Sequence, residues 1–218
     1  MSKNPRLALH GIWAFPPNRE TYGGTAYLIV ENSRNILIDC PIWDDDTQAF
    51  LAQQGGVHCL ALTHRQGISP AAGPIQDQFG CEIVIQEQEA YLLPGAKITS
   101  FQHTWDLSPS TQLIWTPGYS PGSACVYHQG HGGVLFTGRH LLPDTAGMPQ
   151  PLRTAKTFHW RRQLDHVQRL LDRFTVDTLR YICPGANTGF LRQERYIDQA
   201  YAKLQTLDLS NLLVSQTL

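Results

Sequence analysis

Short runs of aliphatic, β-branched and aromatic residues, broken by glycine, proline and polar clusters, fill most of the chain, and a clean helical period appears only towards its C-terminus. The runs Arg6 to Trp13, Thr25 to Val30 and Asn35 to Asp39 predict strands of an antiparallel meander, the last two joined across the polar turn Glu31-Asn32-Ser33-Arg34. Thr47 to Gln54 predicts a short helix. Asp44-Asp45-Asp46 marks its start, where unpaired N–H groups and the helix dipole favour negative charge, and Gly55-Gly56 ends it. Val57 to Leu62 is apolar enough for a buried strand. It is followed by a polar turn, a helix over Pro70 to Phe79 stopped by Gly80, a strand over Glu82 to Gln86, and a helical turn over Glu87 to Leu92 closed by Pro94-Gly95. Strand, helix, strand in this order implies a parallel crossover.

Leu113 to Trp115 predicts a short strand. Ala124 to His128 and Gly133 to Thr137 predict a hairpin around Gln129-Gly130-His131-Gly132, with His128 and His131 read as solvated turn residues. Proline, glycine and polar residues dominate Leu141 to Phe158, which reads as a surface loop or lid. His159 to Phe174 sets Trp160, Leu164, Val167, Leu170, Leu171 and Phe174 on one helical face, leaving Arg161, Arg162, Arg169 and Arg173 mainly on the solvated side. Leu179 to Cys183 reads as a last strand and Leu191 to Leu207 as a terminal helix.

A length of 218 residues suits one domain spanning 1–218. A net charge of −1, without blocks of like charge, offers nothing to nucleic acid or an anionic membrane surface. The apolar runs fall far short of the ~20 residues of a membrane span. The first residues are not followed by a signal-peptide core, so the expected location is cytoplasmic. Cys40, Cys59, Cys81, Cys125 and Cys183 are scattered and read as reduced core residues, not as disulfide or zinc-knuckle partners.

Candidate chemistry lies in the loop beyond Leu62, because ligands in open α/β layers sit past the carboxyl ends of the strands. Thr63-His64-Arg65-Gln66-Gly67-Ile68-Ser69 resembles the Thr-His-x-His-x-Asp-His signature of the metallo-β-lactamase superfamily, and further pieces follow in the order that family needs. Tyr22 to Val30 with Ile36 to Pro41 resembles its opening hairpin, with Cys40-Pro41 in place of the glycine-containing end. Thr116-Pro117-Gly118-Tyr119-Ser120-Pro121-Gly122-Ser123 is similar to Thr-Pro-Gly-His-Thr-Pro-Gly-Ser, Phe136-Thr137-Gly138-Arg139 to Phe-Thr-Gly-Asp, and Pro184-Gly185-Ala186 to the start of Pro-Gly-His-Gly. The resemblance covers about residues 25–188. It implies a mixed α/β fold, a four-layer αββα sandwich of two β-sheets.

The resemblance also implies a dinuclear metal site, and here the residues depart from it. His64 keeps the first ligand position, whereas Gln66, Ile68, Ser69, Tyr119, Arg139 and Ala186 stand where the other ligands belong. Catalytic zinc needs about three protein donors and an open position, and a guanidinium carries a permanent positive charge. The expectation is a non-catalytic relative without a cofactor, which binds a small ligand or a protein through a cleft formed by His64, Gln66, Ser69, Tyr119, Arg139 and Asn187. Arg139 is expected to occupy the place of a metal ion and to answer Gln66, Tyr119, Ser69 and a neutral His64. Two rivals stand beside it: a zinc-dependent hydrolase with a reduced or relocated site, for which His103, His140 and His159 are candidate donors, and a structural subunit of an assembly. Asp44-Asp45-Asp46 could bind a divalent cation, but helix capping explains the triplet without one, and a Ser69–His64 hydrolase lacks an orienting acid.

Overall fold

The computed structural model describes residues 4–31, 34–192 and 194–214. Seven strands form the first sheet in chain order: β1 (Arg6–Leu9), β2 (Ile12–Ala14), β3 (Tyr27–Ile29), β4 (Ile36–Ile38), β5 (Cys59–Leu62), β6 (Glu82–Gln86) and β7 (Ile98–Phe101). The pairs from β1 to β4 are antiparallel and those from β4 to β7 parallel, as expected when hairpin turns give way to longer crossovers. The second sheet contains β8 (Thr104–Ser108), β9 (Thr111–Trp115), β10 (Ala124–His128), β11 (Val134–Phe136) and, after the small pair β12 (Leu142–Pro143) and β13 (Pro149–Gln150), β14 (Tyr181–Cys183). Its order is β14-β11-β10-β9-β8, and β14 is parallel to β11.

Period-two alternation divides each central strand between two apolar layers. Ile36, Ile38, Cys59 and Ala61 of the first sheet meet Val126, Val134 and Phe136 of the second in the inter-sheet core. The Tyr27 and Phe136 rings cross that core edge to face at 5.2 Å. Leu37, Leu60 and Leu62 point outward and pack with Leu51 and Ile75, residues of α1 (Asp45–Gln53) and α2 (Ala72–Phe79). Cys125, Leu135 and Ile182 point outward on the other side and pack with Val167 and Leu170 of α3 (Trp160–Arg173) and Leu204 of α4 (Ala200–Gln205). A short α5 (Leu209–Leu213) follows and receives the Trp160 indole N–H at Leu212 O. The result is the four-layer αββα sandwich. All five cysteines are buried and unpaired.

Helix ends follow the local chemistry. Asp44 accepts the Thr47 N–H at 2.9 Å and caps α1, which accounts for one acid of the triplet. Gly80 ends α2 at φ 62°, and His159 Nδ1 accepts the Arg162 N–H at the start of α3.

The structure corrects several expectations. Arg6 to Trp13 is a hairpin, because Gly11 turns the chain at φ 74° between β1 and β2. Strands β7 and β8 carry no clear apolar pattern, since Thr99, Thr104 and Asp106 make them polar edge strands. Residues 141–158 contain the β12–β13 pair and are not a featureless loop. The terminal helix is confined to α4, because Ile197 exchanges backbone hydrogen bonds with Ile182 and holds the preceding segment extended. His128 is buried, with Nδ1 2.9 Å from the Thr111 hydroxyl and 3.2 Å from Glu31 Oε1. The turn between β3 and β4 includes Asn32 and Ser33, which lie outside the described residues, as does Gln193.

Gly185 tests the packing beneath the loops. A Cβ there would lie 2.7 Å from both Gly138 Cα and Gly138 O. Gly185→Ala is expected to lower stability by about 1–3 kcal/mol. Gly73→Ala, in α2 with open space around it, should raise stability by up to about 1 kcal/mol. Chemical denaturation of both variants checks this pair of opposite signs.

Candidate functional site

The candidate cleft is built on the carboxyl ends of β4 and β5. Asp39 follows β4 at φ 58°, and its buried carboxylate accepts the Thr63 N–H at 2.8 Å and the Thr63 hydroxyl at 2.6 Å. This closeness depends on glycine: a Cβ on Gly67 would sit 2.2 Å from Asp39 Oδ1. The Thr63 hydroxyl also lies 2.8 Å from His64 Nδ1. Its proton goes to Asp39, so Nδ1 must donate and His64 Nε2 carries the bare lone pair. His64 is 2% exposed and Nε2 has no hydrogen-bond partner. Burial first, and the Arg139 charge second, pull the imidazole down to about 3, so it is neutral and its 3.8 Å approach to Asp39 is not an ion pair. Burial raises Asp39 to about 6 against the opposing Thr63 hydrogen bonds and Arg139 charge.

Three turns close over this pair. Tyr119 is 6% exposed, with its ring 5.5 Å from that of His64, and its hydroxyl donates to Gln66 Oε1. Burial raises the phenol's pKa, and Arg139, which also hydrogen-bonds to it, works in the opposite direction. Gly138, at φ 51°, approaches so closely that a Cβ would meet Thr63 Oγ1 at 2.4 Å. The next side chain, Arg139, donates from Nη2 to Tyr22 O at 2.8 Å and Thr21 O at 3.2 Å, while its buried Nε has no partner.

Four of the six anticipated residues therefore come together: His64, Gln66, Tyr119 and Arg139. Ser69 does not join them. Its hydroxyl accepts the Ala71 N–H at 3.1 Å and meets the Cys40 thiol, so it serves the start of α2, and it borders a separate groove of about 610 Å³ along that helix. Asn187 is exposed in the left-handed region at φ 57° and its carbonyl accepts the Phe190 N–H, a turn role. Contrary to expectation, Arg139 is anchored on the Thr21 and Tyr22 carbonyls and not on Gln66 or Ser69.

Glu89 escaped sequence reasoning altogether. It is 0% exposed, accepts Arg65 Nε–H at 3.0 Å and the Gly122 N–H at 3.3 Å, and leaves Oε2 unpartnered. Asp39 was more accessible to inspection, since an acid at the end of the apolar run Ile36-Leu37-Ile38 is a signal in itself. In front of Tyr119 lies a cavity of about 260 Å³ lined by Arg65, Gln66, Tyr119, Pro121, Lys156 and Phe158, among others. The loop before α3 is tied to it by Phe158 N–H to Tyr119 O (3.0 Å), His159 N–H to Gly118 O (2.9 Å), and Lys156 over the Tyr22 ring at 4.1 Å.

The donor set does not fit a zinc centre. Among the described residues, no group of three or more His, Cys, Asp or Glu side chains is placed to hold a metal ion. The alternative trio is dispersed: His159 caps α3, His103 lies beside Trp115, and His140 is buried with both ring nitrogens unpartnered.

No family model matches the chain, and no curated protein matches it. Solved structures do. A metallo-β-lactamase from Pontibacter korlensis is 16% identical over 97% of this chain and 99% of its own, with a TM-score of 0.71. A metallo-β-lactamase family protein from Thermus thermophilus is 17% identical over 94% and 80%, with a TM-score of 0.66. An archaeal metallo-β-lactamase superfamily protein from Sulfolobus tokodaii is 14% identical over 94% and 87%, with a TM-score of 0.63. The chain has the metallo-β-lactamase fold. Among the described residues, no helix is long and apolar enough to cross a membrane.

Burial of titratable groups fixes a pH response. His64 and His140 at about 3, and His166 at about 4, stay neutral when folded, so their contribution is present above pH 6.5 and is lost as pH falls. Asp39, raised from 3.8 to about 6, contributes with the opposite sign, favourably at low pH and less as pH rises through 6. Near pH 5 the three histidines and Asp39 together leave the unfolded chain holding about two protons more than the folded one, so these groups lower stability by roughly 2–3 kcal/mol per pH unit on acidification. Denaturant midpoints across that window measure the slope, and His64→Gln should reduce it by about one proton's worth. A second check is the tautomer: above pH 6, where Asp39 is ionised, ¹⁵N spectra should show His64 as Nδ1–H, with the preference lost in Thr63→Val.

Proposed function

We propose that this protein is a pseudoenzyme on the metallo-β-lactamase fold, which binds a small ligand at the former metal cleft without using a metal ion. The observation that carries this reading is the Arg139 guanidinium, fixed on the Thr21 and Tyr22 carbonyls at the turn that backs His64 and in hydrogen-bond contact with the Tyr119 hydroxyl. A unit charge repels a dication 4 Å away by about 8 kcal/mol at an effective dielectric near 20. One imidazole lone pair does not offset this. The remaining neighbours, Gln66 and the Tyr119 phenol, bond to each other and are poor zinc donors.

The retained scaffold supports binding over loss of all use. Gly67, Gly138 and Gly185 still sit where a Cβ would collide with the loop apparatus, and a cavity remains in front of Tyr119. Metal analysis of protein purified without chelator provides the test. Zinc should be far below one equivalent, and adding it should leave the His64 resonances unmoved. Arg139→Asp combined with Tyr119→His should then take up zinc measurably. Stoichiometric zinc in the native protein, with His64 resonances broadened or shifted, would replace this reading with a metal-dependent hydrolase.

A further inference from the structure

The cavity in front of Tyr119 has a definite chemical character. Its lining residues are Arg65, Gln66, Tyr119, Ser120, Pro121, Lys156 and Phe158, two cations without a carboxylate. Arg65 is held in place from behind: Glu89, fully buried and itself bound by the Gly122 N–H, takes Arg65 Nε, while the Arg65 side chain remains 40% exposed. A guanidinium anchored through Nε can offer its outer N–H groups forward as a fork, the geometry that suits an oxyanion. Lys156, also in the lining, stands over the Tyr22 ring, a contact that steadies its side chain. Arg139 acts on Tyr119 as a further positive charge, so three cations stand against the one buried carboxylate of Glu89 in this field. Phe158, 53% exposed, and Pro121 supply apolar surface next to these charges. At about 260 Å³ the space is smaller than the 300–1,000 Å³ usual for drug-sized ligands, so a single ring with one anionic group is about the limit.

We infer that this cavity is a binding site for a small organic anion, a carboxylate or phosphate carried on a flat apolar body, with Arg65 forking the oxyanion, Lys156 completing its neutralisation and Phe158 covering the apolar part. The inference rests on the metal-free reading of the cleft and names its ligand class. Glu89 is a positioning residue: its role is to aim Arg65.

Calorimetric titration of the full chain with benzoate and with phenyl phosphate, at low and at high ionic strength, tests the site. Inorganic phosphate and benzyl alcohol are the controls for charge alone and ring alone. Saturable binding of at least one aromatic anion is expected, weakened by salt and stronger than either control. Lys156→Ala and Arg65→Gln should each reduce it by about 10- to 100-fold. Arg65→Gln leaves Glu89 buried without its partner, so the Arg65→Gln/Glu89→Gln double variant serves where the single one does not fold. Glu89→Gln alone removes a negative charge behind Arg65, so charge alone would raise affinity; with folding shown to be intact, a lowered affinity is expected if Glu89 aims Arg65, and a raised one would overturn its positioning role.

Absence of saturable binding by both probes, or binding indifferent to Arg65 and Lys156, overturns the inference whatever the metal content. Repeating the titration with one equivalent of zinc separates the two levels. Stoichiometric zinc uptake together with Arg65-dependent binding would sink the metal-free reading and leave the anion site. Lack of zinc together with lack of anion binding would do the reverse.

Discussion

The carboxylate of Asp39 is the point on which the cleft depends. It is a buried acid on a residue with positive φ, and it holds the loop after β5 through both the backbone and the hydroxyl of Thr63. Burying a carboxylate is costly unless hydrogen bonds replace its water shell, and burial still raises its pKa here to about 6 despite two good donors. The arrangement persists because the same hydroxyl orients His64 and because Gly67 leaves room for the carboxylate to approach. A hydrogen-bonded chain from Asp39 through Thr63 to His64 therefore fixes one strand end, one loop and one ring tautomer together.

The second constraint is charge. Arg139 stands one residue after Gly138, which is pressed against Thr63, so the guanidinium starts from a fixed place near the cleft base. Neutral His64 is compatible with that neighbour, since Arg139 is one of the two influences that depress its pKa. Arg139 and a protonated His64 would compete; Arg139 and a bare imidazole nitrogen do not. The low pKa of His64 and the cation beside it are two sides of one electrostatic arrangement.

Much of the fold was legible because the central strands are buried on both sides and read as continuous apolar runs, and because the turn glycines and prolines of the three later motifs, at 116–123, 136–139 and 184–186, keep their spacing. The legible part stops where local pattern stops carrying the information. Strands β7 and β8 are sheet elements by virtue of their neighbours, not of their own polar sequences. The Arg6 to Trp13 run looks continuous until Gly11 adopts a conformation that hydropathy does not register. At the site, the identity of His64, Gln66, Tyr119 and Arg139 could be read from motif spacing, but the direction of Arg139 depends on carbonyls more than a hundred positions away in the chain. Glu89 was invisible because an acid in a short helical turn is ordinarily solvated, and only the fold reveals that its carboxylate faces Arg65 and not water.

The choice of Thr21 and Tyr22 as partners for Arg139 has its own physical reason. Chain reversal there is tight: Gly23 N–H and Gly24 N–H bond back to Asn18 O and Thr21 O, and Tyr22 takes φ 54°. Gly24 permits it, since a Cβ would meet Thr21 Oγ1 at 2.7 Å. Such a turn gathers Thr21 O and Tyr22 O on the side that Arg139 reaches, so fixed dipoles supply the negative potential that a bridging anion would otherwise have to provide. The Tyr22 ring is at the same time the surface under Lys156. One strained turn thus receives a cation at its backbone and another at its side chain, and it couples the sealed base of the cleft to the loop that borders the opening.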